Sequence, residues 1–250
     1  AIDEAHCISH WGHDFRPEYR QLAILKKRFP KASVHAYTAT ATERVREDIV
    51  RQLNLHEPHV VVGIFDRANL IYRVTPRSDT EAQVREVLER HSGEAAIVYC
   101  ITRRETEELA LTLQTAGFAA ACYHAGLPAE ERRDTQERFA REELDVVVAT
   151  VAFGMGIDRS NVRCVIHTAL PKSIEHYQQE TGRAGRDWLA AECVLFWSPA
   201  DAVRWQRLMD RPPPDDRNDK RTPDEIEQAT AAAKELLAEM RHYASGRTCR

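Results

Sequence analysis

Short β-rich runs alternate with amphipathic stretches along almost the whole chain, and this alternation limits the fold more than any single motif does. Small and branched apolar residues dominate 33–38, 59–63, 95–100, 119–124, 145–149, 163–167 and 192–197, which are predicted strands. Between them, Pro17 opens a predicted helix with Leu22, Leu25 and Phe29 on one face. Thr42 caps another that carries Val45, Ile49 and Leu53. Leu109 and Leu113 share a third, ended by Gly117, and Pro128 opens a fourth containing 132–139. Strand and helix in alternation predict an α/β fold of parallel sheets flanked by helices. The order breaks at FDRANLIYRVTP (65–76), which lacks helical period and is predicted to join two α/β units. It breaks again at RPPPDD (211–216), a stiff polar linker; beyond it Thr222 and Pro223 begin a long helix running to about Tyr243. The predicted domains are 1–72, 73–210 and 211–250.

With 250 residues, 43% of them hydrophobic, the chain can bury a sizeable core in one or two domains. A net charge of −4 supplies no overall basic field for nucleic acid, although a local basic groove stays open. The six cysteines, at 7, 100, 122, 164, 193 and 249, form no Cys-x-x-Cys pair. Cys100, Cys122, Cys164 and Cys193 sit in or beside apolar runs, as small hydrophobes do, which predicts a reducing, cytoplasmic setting. No apolar run approaches the roughly 20 residues of a membrane span, and no signal peptide is visible, so no membrane partner is expected. Ala1-Ile2 has the character of the end of a buried strand, so the chain is expected to be a fragment.

Several clusters could carry chemistry. Asp3 and Glu4 follow an apolar start, a placement that sets carboxylates at the carboxyl edge of a parallel sheet, where ligands bind. One acid can hold Mg²⁺ and its neighbour can orient an attacking water, but the pair also suits a solvated loop. In QQETGRAGRD (178–187), Arg183 and Arg186 can share a helical face at a helix end, and their planar forks suit a phosphate. The alternative is a surface helix with two solvated arginines. VVATVAFGMGID (147–158) takes a buried strand into Gly154 and Gly156, where backbone N–H groups can approach a ligand, or simply turn. TATAT (38–42) after a strand reads as a strand end and a helix cap. Cys7, His10 and His13 have a spacing that zinc accepts, while Trp11, Gly12 and Arg16 fit a loop whose aromatics stack on bases.

Together these blocks resemble the RecQ family of ATP-dependent DNA helicases. The resemblance runs from Ala1 to about Asp201 and is carried, in order, by DEAHCISHWGHDFRPEY, TATAT, FDRANLIY, YHAGL, VVATVAFGMGID and QETGRAGRD. It implies RecA-like parallel sheets flanked by helices: part of a first domain, a complete second domain and a C-terminal helical extension. It implies an enzyme that couples ATP hydrolysis to 3′→5′ movement on single-stranded DNA and to unwinding of partly duplex DNA in repair and recombination. In a bacterium such a protein associates with the nucleoid.

Residue by residue, Asp3 would hold Mg²⁺, Glu4 would activate the water and Arg186 would be the arginine finger. Arg183 would face the phosphates as well. His6, Gln179, Gly156 and Asp158 would serve the nucleotide, with Asp158 near the ribose. Trp11, His13, Phe15, Arg16, Thr38, Thr40 and Thr150 would contact DNA or couple it to nucleotide state, so the Cys7, His10 and His13 group needs no metal. Cys249 would be the first ligand of a four-cysteine zinc module that is incomplete here. Zn²⁺ is therefore expected only in a longer protein. No Gly-Lys-Ser/Thr occurs in the sequence, so the phosphate-cradling loop is missing and little or no ATP hydrolysis is expected of this chain alone. Three positions depart from the family pattern: Ala68 for proline, Trp188 for glycine and Thr102 for serine. The rival readings are a zinc hydrolase built on Cys7, His10 and His13 with Glu4 as base, and a non-enzymatic DNA-binding or regulatory fragment.

Overall fold

The computed structural model of the protein describes residues 1–9, 15–39, 41–63, 66–150, 153, 159–210 and 223–246. Trp11, His13, Thr40, Gly156, Asp158 and Cys249, with His10 of the zinc alternative and the 211–222 segment, lie outside the described residues. The chain divides into two compact units, Ala1–Phe65 with Gln206–Leu236, and Asp66–Trp205 with Leu237–Arg250.

In the first unit the start of the chain lies beside 35–37. The Ile2 N–H donates to the His35 carbonyl (2.7 Å), and Tyr37 N–H donates back to the Ile2 carbonyl (2.8 Å). A 3₁₀ turn, Ala5–Ile8, follows with all four residues buried. A longer 3₁₀ segment, Pro17–Ala23, runs into the short helix α1, Ile24–Arg28. Helix α2, Glu43–Gln52, starts where predicted, with Thr42 Oγ1 accepting from the Val45 N–H at 3.4 Å. Ile2, Ala5, Ile8, Val45, Ile49 and Leu53 form the core.

Three expectations need correction here. The helix opened by Pro17 is 3₁₀ for seven residues and α for five. Leu22 and Leu25 are half-buried, but Phe29 falls beyond α1 and is 54% exposed. The runs 33–38 and 59–63 are not strands: among the described residues they make one isolated bridge, Ile2 to Ala36. An apolar run becomes a strand only where a neighbour takes its N–H and C=O groups. Without one, Val60, Val61 and Val62 lie 54%, 78% and 51% exposed. They line an open cleft of about 890 Å³ with Lys26, His35 and Tyr37.

The second unit holds six parallel strands: β1 (Leu70–Pro76), β2 (Ala95–Tyr99), β3 (Ala120–Tyr123), β4 (Val146–Ala149), β5 (Val162–His167) and β6 (Ala191–Trp197). Their order is β1-β6-β5-β2-β4-β3. The crossovers are α3 (Thr80–Arg90), α4 (Arg103–Thr115), α5 (Ala129–Ala140) and α6 (Ile174–Thr181). Two further helices follow, α7 (Pro199–Met209) and α8 (Pro223–Ser245). Alternate residues of the central strands feed two cores. Ile97, Tyr99, Val147 and Val165 join Phe139 of α5 in one, and Ala96, Val98, Val148 and Ile166 join α3 and α4 in the other. A sheet covered on both faces gives strands that read as continuous apolar runs, which is why β2 and β4 are plain in the sequence.

Strand β1 was not expected. It pairs in parallel with β6, from Leu70 opposite Ala191 to Pro76 opposite Trp197, and it spans the predicted junction at residue 72. An edge strand shows half its surface to water, so only Leu70 is fully buried and no apolar run announces it. Pro76, which has no N–H to give, sits at its last position. Thr102 builds a complete capping box with Glu105 at the start of α4, so its departure from serine keeps the cap. Cys100, Cys164 and Cys193 are buried; burial pushes the Cys100 and Cys193 thiols up to about 12. Among the described residues, no helix is long and apolar enough to cross a membrane.

Candidate active site

In the first unit the pairing of Ile2 with 35–37 carries the acids past the threonines. Ala5 N–H donates to the Tyr37 carbonyl (2.9 Å), and the next side chain, His6, is 2% exposed. Its Nδ1 lies 2.8 Å from Thr38 Oγ1 and 3.3 Å from Glu4 Oε2, so one imidazole nitrogen sits between the carboxylate and the threonine. Glu4 takes a left-handed backbone, φ 49 and ψ 42. Such a conformation costs a non-glycine residue roughly 1–2 kcal/mol and is found disproportionately at functional sites. Asp3 is exposed, and its Oδ1 accepts the Glu4 N–H at 2.9 Å. An exposed carboxylate with lone pairs to spare fits a Mg²⁺ ligand.

The loop after the 3₁₀ turn is partly described. Arg16 is exposed and its N–H donates to the Cys7 carbonyl (2.8 Å). Phe15 is half-buried, with the Arg20 guanidinium 5.2 Å from its ring centre. The Cys7 thiol is buried, 3.7 Å from His6 Nε2. Among the described residues, no group of three or more His, Cys, Asp or Glu could hold a metal.

In the second unit α6 ends at Thr181, so Arg183 and Arg186 are not on a helical face as expected. They occupy the turns that follow: Arg183 N–H reaches the Glu180 carbonyl and Ala184 N–H that of Thr181, while Gly185 takes φ +54. Glycines at 182 and 185 let the chain leave the helix there. Arg183 is half-buried and Arg186 exposed. Both lie close enough to Tyr99 to act on its hydroxyl, although burial dominates and holds that phenol well above its usual range. Gln179 is half-buried on α6, and Thr150 is half-buried just after β4, its N–H donating to the Tyr123 carbonyl. Beside them Glu180 Oε2 pairs with His167 Nε2 at 2.7 Å, both fully buried, and the Tyr99 and Tyr177 rings pack on that histidine.

The "Helicase conserved C-terminal domain" family matches residues 79–187. A protein named ATP-dependent DNA helicase RecQ from Pasteurella multocida is 51% identical over 209 residues, covering 84% of this chain and 33% of that protein. One of the same name from Haemophilus influenzae is 50% identical over 209 residues, covering 84% and 34%. The chain thus carries a helicase C-terminal domain and is about half identical, over most of its length, to RecQ helicases. It spans about a third of the length of these curated relatives. Among solved structures, Saccharomyces cerevisiae Dbp5 bound to RNA and ADP BeF3 superposes with a TM-score of 0.62 at 17% identity, covering 95% of this chain and 56% of that one. That likeness shows the fold, a RecA-like parallel-sheet domain flanked by helices.

RecQ resemblance had singled out FDRANLIY without giving its polar residues a task. Arg67, Asn69 and Arg163 all bind the turns that carry the two arginines. No local pattern could have found them. Arg67 and Asn69 stand 118 and 116 residues from the carbonyl they share.

Proposed function

We propose that this chain is part of an ATP-dependent 3′→5′ DNA helicase of RecQ type, in which hydrolysis drives movement on single-stranded DNA and unwinding of partly duplex DNA during repair and recombination. The observation that carries the reading is the His6 contact with both Glu4 and Thr38, at 3.3 and 2.8 Å. In this reading the carboxylate that takes a proton from water is linked, through one ring, to Thr38 of the TATAT segment, which the family resemblance assigns to coupling with DNA.

In this reading Glu4 orients and deprotonates the attacking water, and Asp3 holds Mg²⁺, which when bound neutralises phosphate charge. Arg186 and Arg183 stabilise charge on the phosphates as ATP is cleaved. Gln179, Gly156 and Asp158 serve the nucleotide; Trp11, His13, Phe15, Arg16, Thr40 and Thr150 serve DNA. Domains at 1–72, 73–210 and 211–250, a zinc module begun by Cys249 and a cytoplasmic, nucleoid-associated setting belong to the same proposal. What supports it is the order of the RecQ blocks together with the relatives' printed name.

The test is steady-state ATP hydrolysis, with and without single-stranded DNA, by this chain and by the full-length protein. The full-length protein is expected to turn over in a DNA-stimulated manner and Glu4→Gln to lower kcat by roughly 10²–10⁴-fold, the usual worth of a general base. This chain alone is expected to show little turnover. Wild-type kcat in the Glu4→Gln protein would overturn the assignment.

A further inference from the structure

We propose that Arg67 and Asn69 are positioning residues for hydrolysis: they fix the backbone on which Arg186 is mounted. This rests on the reading of Arg186 as the arginine finger. The Gly185 carbonyl receives three donors, Arg67 Nη2 at 2.6 Å, Asn69 Nδ2 at 2.9 Å and the Trp188 N–H at 3.0 Å. Arg67 Nη2 also reaches the Ala184 carbonyl at 3.0 Å, and Asn69 Nδ2 the Leu189 carbonyl at 2.9 Å. The two side chains are tied to each other, Arg67 Nε to Asn69 Oδ1, at 3.4 Å.

The carbonyls chosen matter. A peptide group is planar, so holding the Ala184 and Gly185 oxygens fixes the two successive planes that lead into the Arg186 Cα. On the other side of Arg186, the Asp187 carboxylate is gripped by Arg163, which also reaches the Ala190 carbonyl at 3.2 Å. Arg186 is thus an exposed side chain between two anchored neighbours. Gly185 is what lets the clamp close: a Cβ there would meet Asn69 Nδ2 at 2.5 Å and the Leu189 carbonyl at 2.8 Å. A charged group that must meet a developing charge loses most of its value when displaced by an ångström, on the order of 10²-fold in rate. A clamp with five polar contacts from two side chains is a means of preventing that displacement.

The experiment compares DNA-stimulated ATP hydrolysis by the full-length protein carrying Arg186→Ala, Asn69→Ala, Arg67→Lys, or Asn69→Ala with Arg186→Ala. Arg186→Ala is expected to lower kcat by about 10³-fold. Asn69→Ala and Arg67→Lys, which keeps the charge but not the fork, are expected to lower kcat by about 10–100-fold, with KM for ATP within about twofold and the thermal midpoint nearly unchanged. Because the clamp acts through Arg186, Asn69→Ala is expected to cost nothing further on the Arg186→Ala background. Wild-type kcat in both clamp variants, with Arg186→Ala crippled, would overturn the clamp and leave the site reading intact. So would losses that multiply in the double variant, or that track a fall in thermal midpoint. Wild-type kcat in Arg186→Ala would instead remove the site reading, and the clamp with it. Should Asn69→Ala not fold, Arg67→Lys alone carries the same comparison.

Discussion

Trp188 stands where the family pattern has glycine, and its backbone explains the preference: φ is +66, a left-handed conformation in which a side chain is strained. The ring is 74% exposed, so burial does not hold it there. The Arg67 guanidinium lies 5.5 Å from the ring centre, an exposed cation–π contact worth about 0.5–1 kcal/mol. Strain of about 1–2 kcal/mol is of the same size or larger, so the contact offsets it in part. Two substitutions separate the terms, since both remove the ring and only one keeps a Cβ. Trp188→Gly is expected to be more stable than Trp188→Ala by about 1 kcal/mol, read as the difference in urea midpoint at constant slope. Equal midpoints would mean that the loop relaxes and no strain is stored at this residue.

At the scale of elements, the sheet edges show what the amino-acid sequence carries and what it does not. Strands β2 and β4 are legible because both faces are buried, so every residue reports the same environment. Strand β1 is illegible because it is half wet, and 33–38 and 59–63 mislead because an apolar run states a need for a neighbour, not its presence. The site divides the same way. Glu4, His6 and Thr38 lie in short recognisable blocks, whereas the Arg67 and Asn69 clamp is written only in contacts more than a hundred residues apart. The start of β6 adds a polar knot that no periodicity marks: Glu192, buried among Arg73 at 2.5 Å, His91 at 2.9 Å and Arg90 at 3.3 Å. Burial pushes its carboxyl up, but His91, Arg90 and Arg73 together bring it below the usual range. A depressed folded-state pKa gives stability that is present above the unfolded value of about 4.3 and is lost as pH falls through the folded one. Glu192→Gln is therefore expected to cost roughly 1–3 kcal/mol at pH 7. The gap to wild type should narrow as pH drops below about 4.3, measured by urea unfolding from pH 7 to 3. A gap independent of pH would show that the carboxylate's charge is not what holds β1, α3 and β6 together.

For the molecule as a whole, the two units carry very unequal cores. Among the described residues, the first has one cluster of six buried apolar residues. The second has one cluster of sixteen on one face of its sheet and another of fifteen on the other. At about 25 cal/mol per Å² of apolar surface removed from water, that asymmetry sets the order in which the units open. The exposed Val60, Val61 and Val62 add nothing to the smaller core. Helix α2 is pinned by Val45, Ile49 and Leu53, whereas the hydrogen bonds of β2, β4 and β5 break only when the sheet does. Native-state hydrogen exchange on this chain is therefore expected to find α2 amides exchanging at least about 100-fold faster than those of β4, a difference of roughly 3 kcal/mol in opening free energy. Urea unfolding followed by far-ultraviolet circular dichroism should then show two transitions rather than one. Equal protection in α2 and β4, with a single transition, would mean that the small core draws its stability from the large one, and the division into separately opening units would be wrong.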